Sequence, residues 1–401
     1  MTGDSTSEDS GDEGGLDMTR VGVIGIGHGK FDRRSDATVQ ELAFEAFRYA
    51  MEDAKITKKE LQASIVGSVP EYHKQRSLSG VIQEYLGLNP LPVWLTECAC
   101  ASSSAALRTA WMSIKAGLYD VVAVIGCQKM TELSTPEILA LMGRVGEVQW
   151  ESIYGTTFPG YYAMFAKRHM HEFGTTREQM LKVSVKNHFY GAKNPKAMFQ
   201  KEITLEKALA SEIVASPFCL YDCCANADGA AALILASEEK AKKLSDTPIW
   251  IDGAGCATTS MSVLRRPNLY GLPSAVEAGK QAYKMAKVEP KDIKVADVHD
   301  CFSIAEIMAY EDLGFCEKGK GGKFIEDKQS YIGGKHPVNI DGGLKAKGHP
   351  IGATGASQAT EIVKQLRGEA KDRQVPDADI GLTHNVGGIG QYTFVHIFRR
   401  D

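Results

Sequence analysis

The chain has no run of eighteen apolar residues, so none of its 401 residues is predicted to form a membrane-spanning helix. It has no Cys-x-x-Cys pair. Its nine cysteines are scattered and odd in number, which argues against a disulfide framework and against the usual zinc spacings. A reducing cytoplasm is the expected setting. No excess of positive charge is present: the net charge is −4, which gives no global attraction to nucleic acid or to a membrane surface. A substrate carrying phosphates would need a local basic patch. The opening MTGDSTSEDSGDEGGLD lacks the basic and then apolar run of a signal peptide. Its composition predicts a disordered acidic tail over residues 1–18, with Met18 as an alternative start. Gly25 and Gly27 begin a dinucleotide-type loop, but Lys30 stands where the third glycine is needed, which weighs against nucleotide binding there.

What is present suits a soluble globular protein of two or three domains: 43% hydrophobic and 24% charged residues. Val21 to Gly27 reads as a buried strand, and Thr38 to Ala54 as a helix. An internal repeat organises the rest. Ala54-Lys55-Ile56-Thr57-Lys58-Lys59-Glu60-Leu61 resembles Ala286-Lys287-Val288-Glu289-Pro290-Lys291-Asp292-Ile293, and both copies lie between an alanine-rich helix and an apolar strand. Alternating strands and helices predict mixed, mostly parallel sheets in two similar halves, with the active site where they meet. The expected boundaries are residues 19–128 with 214–245 for the first half and 246–401 for the second. Residues 129–213 form an inserted loop domain, either a substrate cover or a structural embellishment.

Four strings carry chemistry. Cys100 opens a predicted helix rich in small residues, where the helix dipole and free N–H groups favour thiolate; a structural cysteine is the competing reading. His349 lies in Gly348-His349-Pro350-Ile351-Gly352-Ala353-Thr354-Gly355, where a helix start would keep it neutral and able to take a thiol proton. His299-Asp300-Cys301-Phe302 follows an apolar strand. His384-Asn385-Val386-Gly387-Gly388 follows the last one, with glycines whose N–H groups could hold an oxyanion. Cys98 is read as structural.

In this order the strings resemble the thiolase superfamily, within it the sterol-carrier-protein-2 type and archaeal acetyl-CoA acetyltransferases. The resemblance runs from about Thr19 to the C-terminus. It implies an α/β, five-layered α-β-α-β-α fold. It also implies a thiolase condensing two acetyl-CoA to acetoacetyl-CoA, and the reverse, as the first step of the mevalonate pathway. Cys100 matches the nucleophile and His349 its activator. Asn385 stands where common thiolases carry a second cysteine, and Cys301 replaces that acid/base. His384, which flanks Asn385, is the alternative base. Cys100 and Gly387 N–H groups, with His349 and His299, would serve as oxyanion holes. Lys193, Arg265 and Arg266 are candidates for the coenzyme A phosphates. The resemblance implies no metal or cofactor. It implies a homodimer or tetramer, and a link to hydroxymethylglutaryl-CoA synthase through a small zinc-ribbon and oligonucleotide-fold protein. A degradative 3-ketoacyl-CoA thiolase, a thiolase-like aldolase and a non-catalytic acyl-CoA-binding scaffold are the alternatives.

Overall fold

The computed structural model describes residues 19–401; the acidic tail expected over residues 1–18 lies outside them. The strands are β1 (Val21–His28), β2 (Ala63–Gly67), β3 (Val93–Thr96), β4 (Val121–Gln128), β5 (Ile213–Ala215), β6 (Phe218–Cys219), β7 (Gly229–Ser237), β8 (Ile249–Thr258), β9 (Val295–Val298), β10 (Ile380–Gly387) and β11 (Tyr392–Arg399). Nine of them form one mixed sheet in the order β3-β2-β4-β7-β1-β8-β11-β10-β9, and β5 and β6 pair apart. The two halves join through Gly22 opposite Trp250 and Val23 opposite Ile249. Parallel pairing holds at the flanks, where helices cross over: β2 with β3, β2 with β4, and β9 with β10. The central strands run antiparallel, because β7 and β11 return beside β1 and β8 to close each half.

Five layers follow from which helix packs on which strands. Helix Val39–Ala54 covers β1 and β7 from outside; helices Ser102–Lys115 and Thr354–Arg367 touch each other and lie on strands of both halves; helix Pro273–Ala286 covers β8 and β11. The strands of the first half are apolar on both faces for that reason. Val23, Val124 and Leu233 face the central helices, while their neighbours Ile24, Ile125 and Ile234 face the outer one.

The repeat is structural as well as sequential. Lys55 and Lys287 both end their helices in the left-handed region, at φ 54° and 53°. A Cβ on Gly27 would strike the carbonyl of Ala46, and one on Gly255 the carbonyl of Ala278. The Gly-x-Gly of β1 therefore admits a closely packed helix, and β8 repeats the device. Between β4 and β7 lie helices Thr135–Gly143, Phe158–Phe173, Arg177–Gly191 and Leu205–Leu209 with the small β5–β6 hairpin. Among the described residues, no helix is long and apolar enough to cross a membrane.

Candidate active site

Cys100 sits in a tight connection between β3 and helix Ser102–Lys115. Ala99 takes a left-handed conformation (φ 50°), Ala101 N–H returns to the Cys98 carbonyl at 3.0 Å, and Ser102 Oγ donates to the Ala99 carbonyl at 2.6 Å. The thiol is thus held just before the helix start and is only 5% exposed. Its own N–H and that of Gly388 face the sulfur and lower its pKa, but burial and the nearby Cys224 outweigh them and push the thiol up to about 12. Burial thus works against the thiolate that the helix start favours. Cys98 points into a separate cluster with Ala101, Ala105, Phe394 and Cys256.

His349 follows Gly348 (φ 104°), and its N–H donates to the Ala225 carbonyl at 2.9 Å. Pro350 lies in a turn closed by Ala353 N–H to the Pro350 carbonyl; the helix itself begins at Thr354, later than the sequence suggested. Burial pushes His349 down to about 3, so it is neutral. Its Nδ1 lies 2.7 Å from Thr354 Oγ1, whose hydroxyl donates to the Pro350 carbonyl at 3.1 Å. Thr354 therefore accepts from Nδ1–H, which leaves a lone pair on His349 Nε2. That atom is buried and has no protein partner.

His299 and Cys301 come from the connection between β9 and helix Ser303–Asp312. The rings of His299 and His349 meet edge to face at 5.1 Å. Ligand atoms of Cys100, His299 and His349 all lie within 4.8 Å of one another, the one His/Cys/Asp/Glu cluster that close among the described residues. Burial, with His349 and His384 nearby, also holds His299 well below its usual pKa. Cys301 is fully buried, its thiol pushed up by burial, with the Tyr162 phenol beside it acting in the opposite direction. Asp300 anchors the connection by accepting from Leu344 N–H at 2.7 Å and Asn187 Nδ2 at 2.7 Å. His384 is buried on β10 outside the Cys100–His299–His349 cluster, its ring neutral with a pKa of about 3.

The sequence reading passed over three groups. Tyr162, from helix Phe158–Phe173 of the insertion, stacks on Phe302 at 4.7 Å and donates to the Gly388 carbonyl at 3.3 Å. The insertion thus walls the site. Cys224 N–H donates to the Cys301 carbonyl at 2.9 Å. Lys345, buried beside them, donates to the Asp222 carbonyl, and its charge lowers the pKa of Cys301, Cys223 and Cys224. A cation inside the otherwise small and apolar Gly343-Leu344-Lys345-Ala346 was the available signal. Lys345, Cys223 and Cys224 line a cavity of about 640 Å³ that also carries Lys30, Lys201 and Lys207. Lys193, Arg265 and Arg266 are not among its walls. Lys193 lies over the Phe189 ring at 4.1 Å in another cavity. Arg266 is buried and donates to the carbonyls of Ser260 and Ile389, and Arg265 is exposed in the turn beside it.

Residues 21–239 match the family described as Thiolase, N-terminal domain, and residues 255–400 the one described as Thiolase C-terminal domain-like. The chain belongs to the thiolase family. It is 44% identical over 385 residues to an acetyl-CoA acetyltransferase of Methanothermobacter thermautotrophicus, covering 96% of this chain and all of the relative. It is 34% identical to sterol carrier protein 2 of Bos taurus, over 95% of this chain and 72% of that protein. Among solved structures it resembles an Ltp2-ChsH2(DUF35) aldolase, with TM-score 0.83 and 27% identity over 96% of this chain and 98% of that one. This thiolase is accordingly an acyltransferase.

Proposed function

We propose that the enzyme condenses two acetyl-CoA molecules to acetoacetyl-CoA, and runs the reverse thiolysis, through an acetyl group carried on Cys100. The observation that carries this reading is the pairing of one nucleophilic thiol with a separate, buried acid/base thiol. Cys100 clusters with His349, whose Nε2 lone pair is unpartnered, and Cys301 lies close by against Tyr162. His349 takes the proton of Cys100 as the sulfur attacks the thioester carbon, and returns it to the leaving coenzyme A thiolate. The N–H groups that face the Cys100 sulfur are its own and that of Gly388, the residue after the Gly387 expected from the resemblance, and these are the donors assigned to the tetrahedral oxyanion. Cys301, ionised to its thiolate, then removes a methyl proton from the second acetyl-CoA, and that proton ends on the Cys100 thiolate that the condensation releases. The enolate oxygen is held by His299, and enolate carbon attacks the acetyl carbonyl to release Cys100. Lys30, Lys201 and Lys207, at the walls of the cavity that reaches Cys224, supply the local basic patch that coenzyme A phosphates require on a chain of net charge −4. A role at the head of the mevalonate pathway in the cytoplasm, a homo-oligomeric state and a link to hydroxymethylglutaryl-CoA synthase belong to the same reading and rest on the likeness to archaeal acetyltransferases.

The similarity to an aldolase structure favours one competing reading, carbon–carbon cleavage without an acyl-enzyme. A retro-aldol step needs a base and enolate stabilisation but no nucleophile. The test is peptide mass mapping after incubation with acetyl-CoA, with both cysteine variants. The wild type acquires an acetyl group at Cys100. Cys301→Ala still acquires it but loses condensation by about 10²- to 10⁴-fold, the usual weight of a general base. Cys100→Ala loses both. Acetoacetyl-CoA formation without any Cys100 adduct, or a label on Cys98 alone, would overturn the assignment.

A further inference from the structure

We infer that Asn385, braced by Ser104, is a positioning residue that fixes the tautomer of His299 so that its Nε2–H points at the reacting centre. The inference rests on the proposed condensation and assigns a task to the residue that stands where common thiolases carry a cysteine. Ser104, in the first turn of the Cys100 helix, donates its hydroxyl to Asn385 Oδ1 at 2.9 Å. That contact turns the amide so that Nδ2 faces His299 Nδ1 at 3.1 Å. An amide nitrogen can only donate, so His299 Nδ1 is the acceptor and carries no hydrogen. His299 is neutral, so its single hydrogen is on Nε2. Nε2 is buried and without a protein partner, and the His299 ring lies in one cluster with Cys100 and His349.

The two histidines are therefore held in opposite tautomers by two different partners, Thr354 oriented by the Pro350 carbonyl and Asn385 by the Ser104 hydroxyl. Thr354 keeps the His349 lone pair on Nε2, a base; Asn385 keeps the His299 hydrogen on Nε2, a donor. A base is needed where the Cys100 proton leaves, and a donor where negative charge gathers on the thioester oxygen. The clamp is built from both halves of the chain, since Ser104 lies in the first and Asn385 in the second. Gly355 makes room for it: a Cβ there would come within 2.6 Å of both Ser104 N and Asn385 Oδ1.

Long-range ¹⁵N–¹H correlation spectra of the full-length enzyme labelled at histidine read the tautomers directly, with His299→Gln and His349→Gln spectra assigning the signals. The expected result is Nε2–H for His299 and Nδ1–H for His349; a His299 signal protonated at Nδ1 would overturn the inference. Asn385→Leu removes the clamp without adding charge. It is expected to acetylate Cys100 within about threefold of wild type while condensation falls at least about tenfold, with His299 showing a mixture of tautomers. Condensation within threefold of wild type, or an unchanged tautomer, would overturn it. Should that variant fail to fold, Ser104→Ala, which frees the amide to rotate, carries the same readouts. If the wild type forms no acetyl-Cys100, the proposed condensation falls, while the spectra still decide the clamp.

Discussion

The resting protonation of the Cys100–His349 pair can be tested by alkylation. Burial places the thiol at about 12 and the imidazole at about 3. That gap of about 9 units favours the neutral pair by roughly 12 kcal/mol, at 1.36 kcal/mol per unit. Attraction between two opposite charges about 4 Å apart returns roughly 4 kcal/mol at an effective dielectric of 20. The thiolate–imidazolium form therefore lies about 8 kcal/mol above rest, inside the roughly 16 kcal/mol barrier of a turnover near 10 per second. The expected resting enzyme is a neutral thiol beside a neutral base, and the ion pair forms only transiently during attack. Iodoacetamide inactivation should then accelerate about tenfold per pH unit between about pH 7 and 10, because free thiolate rises in that proportion. Acetyl-CoA should protect, and His349→Ala should keep the slope while slowing acetylation. A rate flat from pH 6 to 9 would reveal a preformed thiolate–imidazolium pair and refute the dominance of burial over the helix-start N–H groups.

Lys345→Met should slow condensation and move its optimum to higher pH, because the charge that lowers the Cys301 pKa is gone, whereas acetylation of Cys100 should persist and Lys345→Arg should recover part of the rate. Acid should destabilise the fold: burial holds His349, His384 and His396 near about 3, while in the unfolded chain each takes up a proton near its ordinary value. The unfolded state thus binds more protons, so the melting temperature should drop as pH falls from about 6.5 toward 4 and stay level between pH 7 and 8; a level profile down to pH 4.5 would contradict the burial of these rings. Gly255→Ala should cost about 1–3 kcal/mol by driving a methyl into the Ala278 carbonyl. Gly279→Ala, whose added carbon finds only ordinary contacts with Leu313 and Tyr283, should be neutral or stabilising, and chemical denaturation of the two variants separates close packing from a general intolerance of alanine.

The sequence by itself determined the two-half α/β architecture and the four strings that meet at its centre. Hydrophobic periodicity and the eight-residue repeat at Ala54 and Ala286 are local, and both lie in the matching helix ends of the two halves. Cys100 and His349 were legible because a cysteine or histidine set among glycines and small residues marks a place where the backbone must be approached, and His299 because it follows an apolar strand. The Gly-x-Gly of β1 was read against nucleotide binding, but its use, admitting the Ala46 carbonyl, depends on a helix nineteen residues away in sequence and adjacent only in space. Antiparallel pairing in the middle of the sheet was likewise decided by where β7 and β11 return, which no local pattern encodes. Ionisation was decided by tertiary structure too: the helix start at Cys100 argued for thiolate, and burial reversed it. Lys345, Tyr162 and Asn385 acquire their tasks only through partners 86 to 281 residues distant: Asp222, Gly388, and His299 with Ser104. Those contacts are side-chain hydrogen bonds across layers, whose direction sets a proton on one ring nitrogen or another, and a linear sequence names the rings without placing the proton.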